Sequence, residues 1–214
     1  ASAAALVALR AASFVPMTDA RGESAWVRLS WSARPERIEQ CRRLTDAETK
    51  LLHQAEHDSL TELPNRAKLL QHIGDEMAAA SDNQQQLYLM FVDLDNFKFV
   101  NDSYGHRTGD ELLFQASARI REAVRADNFV ARIGGDEFVV VARTDGDIHA
   151  IADRIIEALS EPFMLHDLSA TVGASIGIAS LRDHTESGAL LRDADLALYR
   201  AKGDGGGCAR LFDT

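Results

Sequence analysis

Arg132-Ile133-Gly134-Gly135-Asp136-Glu137-Phe138 joins two β-favouring runs, Phe129 to Ile133 and Glu137 to Ala142, and its reading decides the fold. Paired glycines admit a backbone with positive φ and let a ligand approach the chain closely. The segment therefore reads as a tight hairpin whose two adjacent acids are thrown to opposite sides. In isolation it is equally a Gly-Gly turn with solvated carboxylates. Upstream, the apolar run Leu87 to Val92 reads as a buried strand, and Phe91-Val92-Asp93-Leu94-Asp95-Asn96-Phe97-Lys98 carries it through two carboxylates into a helix. Asp95 is read as the cap of that helix, since N-caps favour aspartate. Asp93 has no such explanation, because it stands where a buried strand would continue with an apolar residue. One acid from each of two neighbouring strands can clamp a metal-bound triphosphate, with Mg²⁺ taking oxygen ligands, keeping waters and bridging to phosphate.

Around this pair, helices and strands alternate from Asp58 onward. The patterning predicts helices over Arg66 to Ala80, Asn96 to Tyr104, Gly109 to Arg125, Asp147 to Ser160 and Gly188 to Lys202, and strands over Phe163 to His166 and Ala170 to Ala179. At least two strand pairs are hairpins, so the expected fold is α/β (α+β) with a central mixed sheet wrapped by helices. Before Asp58, the β-like runs Ser13 to Met17 and Ala25 to Ser32 flank a turn-rich stretch and read as a separate hairpin. A helix-favouring segment then runs from Pro35 to about His57. The expected division is residues 1–57 as hairpin and linker helix and residues 58–214 as the main domain.

The chain has 214 residues, 46% hydrophobic and 26% charged, a globular balance long enough to bury a core. Its net charge of −10 argues against coating nucleic acid or an anionic membrane, which requires a basic field. Residues 1–57 carry eight Lys/Arg against seven Asp/Glu, leaving 15 against 26 in residues 58–214, so the acidic excess lies wholly in the main domain. A phosphate ligand must then be bound through a local site or a metal. Cys41 and Cys208 fit no metal-ligand spacing or disulfide framework, and a reducing, cytoplasmic setting is expected. The apolar opening Ala1 to Leu9 is too short to span a bilayer and lacks the charged lead of a signal peptide. A chain that opens on Ala1 reads as a piece excised from a longer protein. His53-Gln54-Ala55-Glu56-His57 fits the H-x-x-E-H pattern of inverted zinc peptidases, but a solvated helix face is the reading adopted. Gly203 to Gly207 lacks the lysine and hydroxyl order of a P-loop.

Gly134-Gly135-Asp136-Glu137-Phe138 resembles the signature of the GGDEF family, the diguanylate cyclases, and further motifs follow that family's order. They are Asp58-Ser59-Leu60-Thr61-Glu62-Leu63-Pro64-Asn65-Arg66, Asp93 to Lys98, Asn101-Asp102, Gly105-His106, Gly109-Asp110, Ala174 to Ala179, and Asp193 to Lys202. The match covers about Asp58 to Phe212, and so many ordered motifs make it specific. The resemblance implies a palm-like nucleotide-cyclase core and the condensation of two GTP into cyclic di-GMP with loss of two pyrophosphates. Each protomer of a homodimer would present one GTP to the other. Carried over by position, Asp93, the Leu94 carbonyl and Asp136 would hold Mg²⁺, with Mn²⁺ as the alternative ion. Asp136 is also the implied base for the attacking 3′-hydroxyl, and Glu137 would support the metal. Asn101 and Asp110 would read the guanine edge, His106 would lie near the nucleotide or serve the helix start, and Lys98 and Lys202 would face the phosphates.

Two departures from the family pattern stand out. Gly206 occupies the position of a phosphate-binding arginine, whose loss weakens triphosphate binding, and Arg210 is the candidate substitute. The inhibitory product site, Arg-x-x-Asp in the family, reads Arg125-Ala126-Asp127-Asn128, so Asn128 replaces its acid. Phe14 to Lys50 resembles the last hairpin of a PAS sensor domain with its linker. Leu211 to Thr214 resembles the junction to a phosphodiesterase (EAL) domain. This raises a second reading, a GTP-binding module of weak or no activity that regulates an attached EAL domain in the parent chain.

Overall fold

The computed structural model describes residues 13–18, 24–29, 50–79, 86–166, 168–181 and 186–213, the first two spans by their backbone alone. The described residues fall into two compact units, divided between Leu51 and Leu52. In the smaller unit, β1 (Ser13–Thr18) pairs antiparallel with β2 (Ser24–Leu29), the hairpin that the alternating pattern predicts. Most of the helix expected between Pro35 and His57 lies outside the described residues; residues 50–56 are helical.

The larger unit is built on β3 (Gln86–Asp95), which runs three residues beyond the expected Val92 because it is paired on both sides. The helix α1 (Arg66–Ala79) precedes it, and it is followed by α2 (Phe97–Tyr104), α3 (His106–Ala123), β4 (Phe129–Gly134), β5 (Glu137–Thr144), α4 (Ile148–Ser160), β6 (Phe163–Leu165), β7 (Leu168–Ala170), β8 (Gly173–Ser180), α5 (Ser187–Gly203) and β9 (Ala209–Leu211). The main sheet has the order β4-β5-β3-β8-β9. All its neighbours are antiparallel except β8 and β9, so the sheet is mixed, as expected, through a strand too short to show a period. The run expected as one strand from Ala170 breaks in two, because β7 folds back onto β6 as a separate two-stranded ribbon.

The period of two sorts the sheet's side chains onto two layers. Met90, Val92, Phe138, Val140 and Ile176 pack under α3 and α4. Leu87, Leu89, Phe91, Val139 and Val141 pack under α1 and α5 with Leu69, Ile73, Leu190 and Leu198. Gly177 brings α5 unusually close: a Cβ there would lie 2.0 Å from the Ala194 carbonyl and 2.3 Å from the Leu198 nitrogen. This contact holds the middle of α5 against β8, about one turn before Lys202. Among the described residues, no helix is long and apolar enough to cross a membrane.

Candidate functional site

The hairpin tip and the end of β3 meet through the register of the sheet. Asp93 lies directly opposite Glu137 on β5 and Ser175 on β8, and the Leu94 N–H donates to the Asp136 carbonyl at 3.3 Å. The turn depends on Gly135, whose φ of 53° is left-handed. Arg132, only 8% exposed, braces it from beneath. Its Nε and Nη2 donate to the Gly135 carbonyl at 3.1 and 2.8 Å, and its Nη1 donates to Asp58 Oδ1 at 2.7 Å. Asp58 also accepts from the Thr61 N–H and hydroxyl at 2.9 and 2.7 Å. Burial would raise the Asp58 carboxyl, but the hydrogen bonds from Thr61 and Arg132 outweigh it and hold the group below the usual aspartate range. The sequence reading named neither Asp58 nor Arg132 as a site residue. Each lies inside a motif, but the 74 positions between them hide the pairing.

Beside the hairpin lies a cavity of about 550 Å³ lined by Asp93, Leu94, Lys98, Asp136, Lys202 and the Gly205–Gly207 loop. Lys202 Nζ sits 2.7 Å from Asp93 Oδ1. Burial pushes the Asp93 carboxyl above its ordinary range, the Lys202 hydrogen bond pulls it back, and the nearby charges of Asp136 and Asp95 push it up again. Asp95 does not cap α2. The N-cap is Asn96, left-handed at φ 64° and without a side-chain cap bond, while Asp95 accepts from the Ser175 hydroxyl at 2.8 Å and the Gly207 N–H at 3.0 Å. Asp95 thus pins the glycine loop to the sheet. A Cβ on Gly206 would stand 3.1 Å from Asp95 Oδ2. Arg210, the candidate substitute for an arginine at Gly206, is engaged on the other side of the loop: its Nε donates to Asp204 Oδ2 at 2.7 Å and its Nη1 to the Ala209 carbonyl at 3.0 Å.

The other expected site residues lie outside this cavity. Asn101, on α2, rests on α3 where Gly109 makes room, since a Cβ on Gly109 would fall 2.0 Å from Asn101 Oδ1. Asp110 lines a separate recess with Leu60, Arg107 and Phe114, in which Leu60 supplies an apolar wall that the sequence reading did not assign. His106 is the exposed first residue of α3, after the N-cap Gly105, and lines neither recess. Arg125 and Asn128 line a third cavity of about 760 Å³ with His57, Arg121 and Glu122. The Asn128 side-chain oxygen and nitrogen are closed off from solvent and find no hydrogen-bond partner among the described residues. His53 and His57 stack with ring centroids 4.0 Å apart. Among the described residues, no three His, Cys, Asp or Glu side chains converge as a metal cage.

The family profile described as "Diguanylate cyclase, GGDEF domain" matches residues 55–208. The chain belongs to the GGDEF family. Diguanylate cyclase TpbB from Pseudomonas aeruginosa is 44% identical over 177 residues, covering 80% of this chain and 40% of that protein. Cyclic di-GMP phosphodiesterase PdeR from Escherichia coli is 40% identical over 169 residues, covering 78% of this chain and 25% of that protein. The chain therefore spans well under half the length of either relative. The solved GGDEF domain of TpbB aligns with a TM-score of 0.70 at 41% identity, covering 73% of this chain and 94% of that one.

In this GGDEF domain, Asp93 and Glu137 face each other across adjacent strands, an arrangement that destabilises a sheet unless something neutralises it. Asp136 adds a third carboxylate nearby, and Lys202 is the cation paired with Asp93. These are hard oxygen donors with excess negative charge, which suits Mg²⁺ or Mn²⁺. Burial first, then the Asp93 and Asp136 charges, raise the Glu137 carboxyl above its usual range. A raised acid costs the fold stability where it is ionised and ceases to do so once it is protonated. Glu137→Gln is therefore expected to stabilise the metal-free protein at neutral pH by about 0.5–1 kcal/mol. In thermal melts this gain should shrink as the pH falls through the Glu137 transition.

Proposed function

We propose that this domain is a diguanylate cyclase that joins two GTP molecules into cyclic di-GMP. The observation that carries the reading is the meeting of Asp93, Asp136, Lys98 and Lys202 around one cavity, at the junction of the central strand and the signature hairpin. Asp93, Asp136 and the Leu94 carbonyl would hold a divalent cation, which when bound neutralises the triphosphate and polarises the α-phosphate. Lys98 and Lys202 hold the phosphates as point charges. Asn101 and Asp110, on adjoining helices, read the guanine edge, with Leu60 against the base. Asp136 accepts the proton of the 3′-hydroxyl as that oxygen bonds to the α-phosphorus of the second GTP and pyrophosphate departs. The same step repeated in the opposite direction closes the ring. One cavity serves one nucleotide, so two protomers must face each other.

On this reading residues 1–57 are the end of a PAS sensor and its linker, and the domain works in the cytoplasm, where GTP is available. A second reading, a GTP-binding module regulating an EAL domain, is favoured by the phosphate end of the cavity. Its cations are two lysines, one already paired with Asp93, and Arg210 is engaged elsewhere. Calorimetric titration with GTP, with and without Mg²⁺, run beside product analysis, separates the two. Mg²⁺-dependent binding with cyclic di-GMP formed supports the cyclase, binding without product supports the module, and no binding contradicts both.

A further inference from the structure

Two helices and the turn between them converge on the side chain of Asn65. Its Nδ2 donates to the Ala55 carbonyl at 2.7 Å and its backbone N–H to the Glu56 carbonyl at 2.8 Å, satisfying the end of the helix that closes at residue 56. Its Oδ1 accepts from the Ala67 and Lys68 N–H groups at 2.9 and 3.2 Å, capping α1. The amide serves both ends at once: a carboxylate keeps the cap but cannot donate to the carbonyl, and a serine hydroxyl, a single atom on a shorter side chain, cannot reach the Ala55 carbonyl while it caps α1.

From Asn65 the contacts run directly to the hairpin. The preceding Pro64 carbonyl accepts from the Arg132 N–H at 2.9 Å. The Arg132 side chain then bridges Asp58, in the same turn, to the Gly135 carbonyl next to Asp136. The turn is also strained, with Glu62 left-handed at φ 59°. The His53 Nε2 donates to the Glu62 carboxylate at 2.8 Å, but this pair is exposed and holds weakly. Asn65 is the stronger tie, with partners on both helices.

We infer that Asn65 is a positioning residue for the catalytic hairpin, joining the helix end at Ala55–Glu56 through Pro64 and Arg132 to Gly135 and Asp136. This rests on the reading of the hairpin as the catalytic centre, but the joint itself can be measured without turnover.

Asn65→Asp keeps the cap of α1 and removes the donor to Ala55. By amide hydrogen exchange, it should speed exchange at residues 52–57 and at 133–137 by about fivefold, the effect of losing one hydrogen bond, while α1 stays protected. In the cyclase assay kcat should fall by a similar factor with KM for GTP changed less, because the hairpin carries the base and only one of the cation ligands, while the guanine contacts and the phosphate lysines lie on other elements. Asn65→Ser, which also keeps an acceptor, should reproduce the pattern should the aspartate variant fold poorly. Asn65→Ala should deprotect α1 as well. Faster exchange at 52–57 with the hairpin unchanged overturns the inference. Coupled exchange in a protein that makes no cyclic di-GMP leaves the joint standing and sinks the catalytic reading instead.

Discussion

Asp136→Ala is expected to lower cyclic di-GMP formation by about 10²–10³-fold, because in the proposed mechanism it removes both a cation ligand and the proton acceptor, together worth roughly 3–4 kcal/mol in the transition state. The fold should survive. Asp136 sits at the tip of a hairpin, and its backbone carbonyl, which accepts from Leu94, is unaffected by truncation of the side chain. Removing its charge also relieves Asp93 and Glu137, both of which its field raises. The melting temperature of the metal-free variant should therefore equal or exceed that of the parent. Loss of activity together with loss of stability would mean that Asp136 serves structure, contrary to the role assigned to it.

Arg132→Ala should have the largest effect on stability. It leaves Asp58 without its cation, with the side chain only 24% exposed, and strips the Gly135 carbonyl of two donors. Breaking one side of a mostly buried pair costs about 3 kcal/mol, which in a domain of this size corresponds to a fall in Tm of roughly 6–12 °C. Asp58 is held below its ordinary range, so its contribution to stability is present above the unfolded-state value and is lost as the pH falls through the folded one. In Arg132→Ala this acid limb of the stability profile should flatten. Arg132→Lys should recover only part of the loss, since one ammonium cannot span Asp58 and Gly135 as a guanidinium does. Unchanged melting in Arg132→Ala would show that the hairpin is held by its own strand pairing alone.

The parts of this domain that were legible in the sequence are those in which one local signal suffices. The Gly134-Gly135 turn, the apolar run into Asp93 and the helices on both sides carry their own periodicity or punctuation, and the structure places them within a few residues of expectation. Errors arose where distant residues decide. Asp95 looked like a helix cap because nothing local reveals Ser175 and Gly207 as its partners. The break after Ala170 follows from the pairing of β7 with β6, and β9 exists only because β8 offers it an edge. The same holds for the site. Asp93 stood out by its place in an apolar strand and Asp136 through the resemblance to the GGDEF signature, whereas the brace of Asp58 and Arg132 and the pairing of Arg210 with Asp204 required the folded arrangement.

The central claim is that two copies of this domain, each holding GTP and a divalent cation at Asp93 and Asp136, face each other to make cyclic di-GMP. The most direct measurement is the initial rate of cyclic di-GMP formation from saturating GTP and Mg²⁺ over a wide range of protein concentration. The account predicts product whose rate rises with the square of protein concentration at low concentration and vanishes when Mg²⁺ is chelated. GTP bound with no cyclic di-GMP formed at any protein concentration would contradict it.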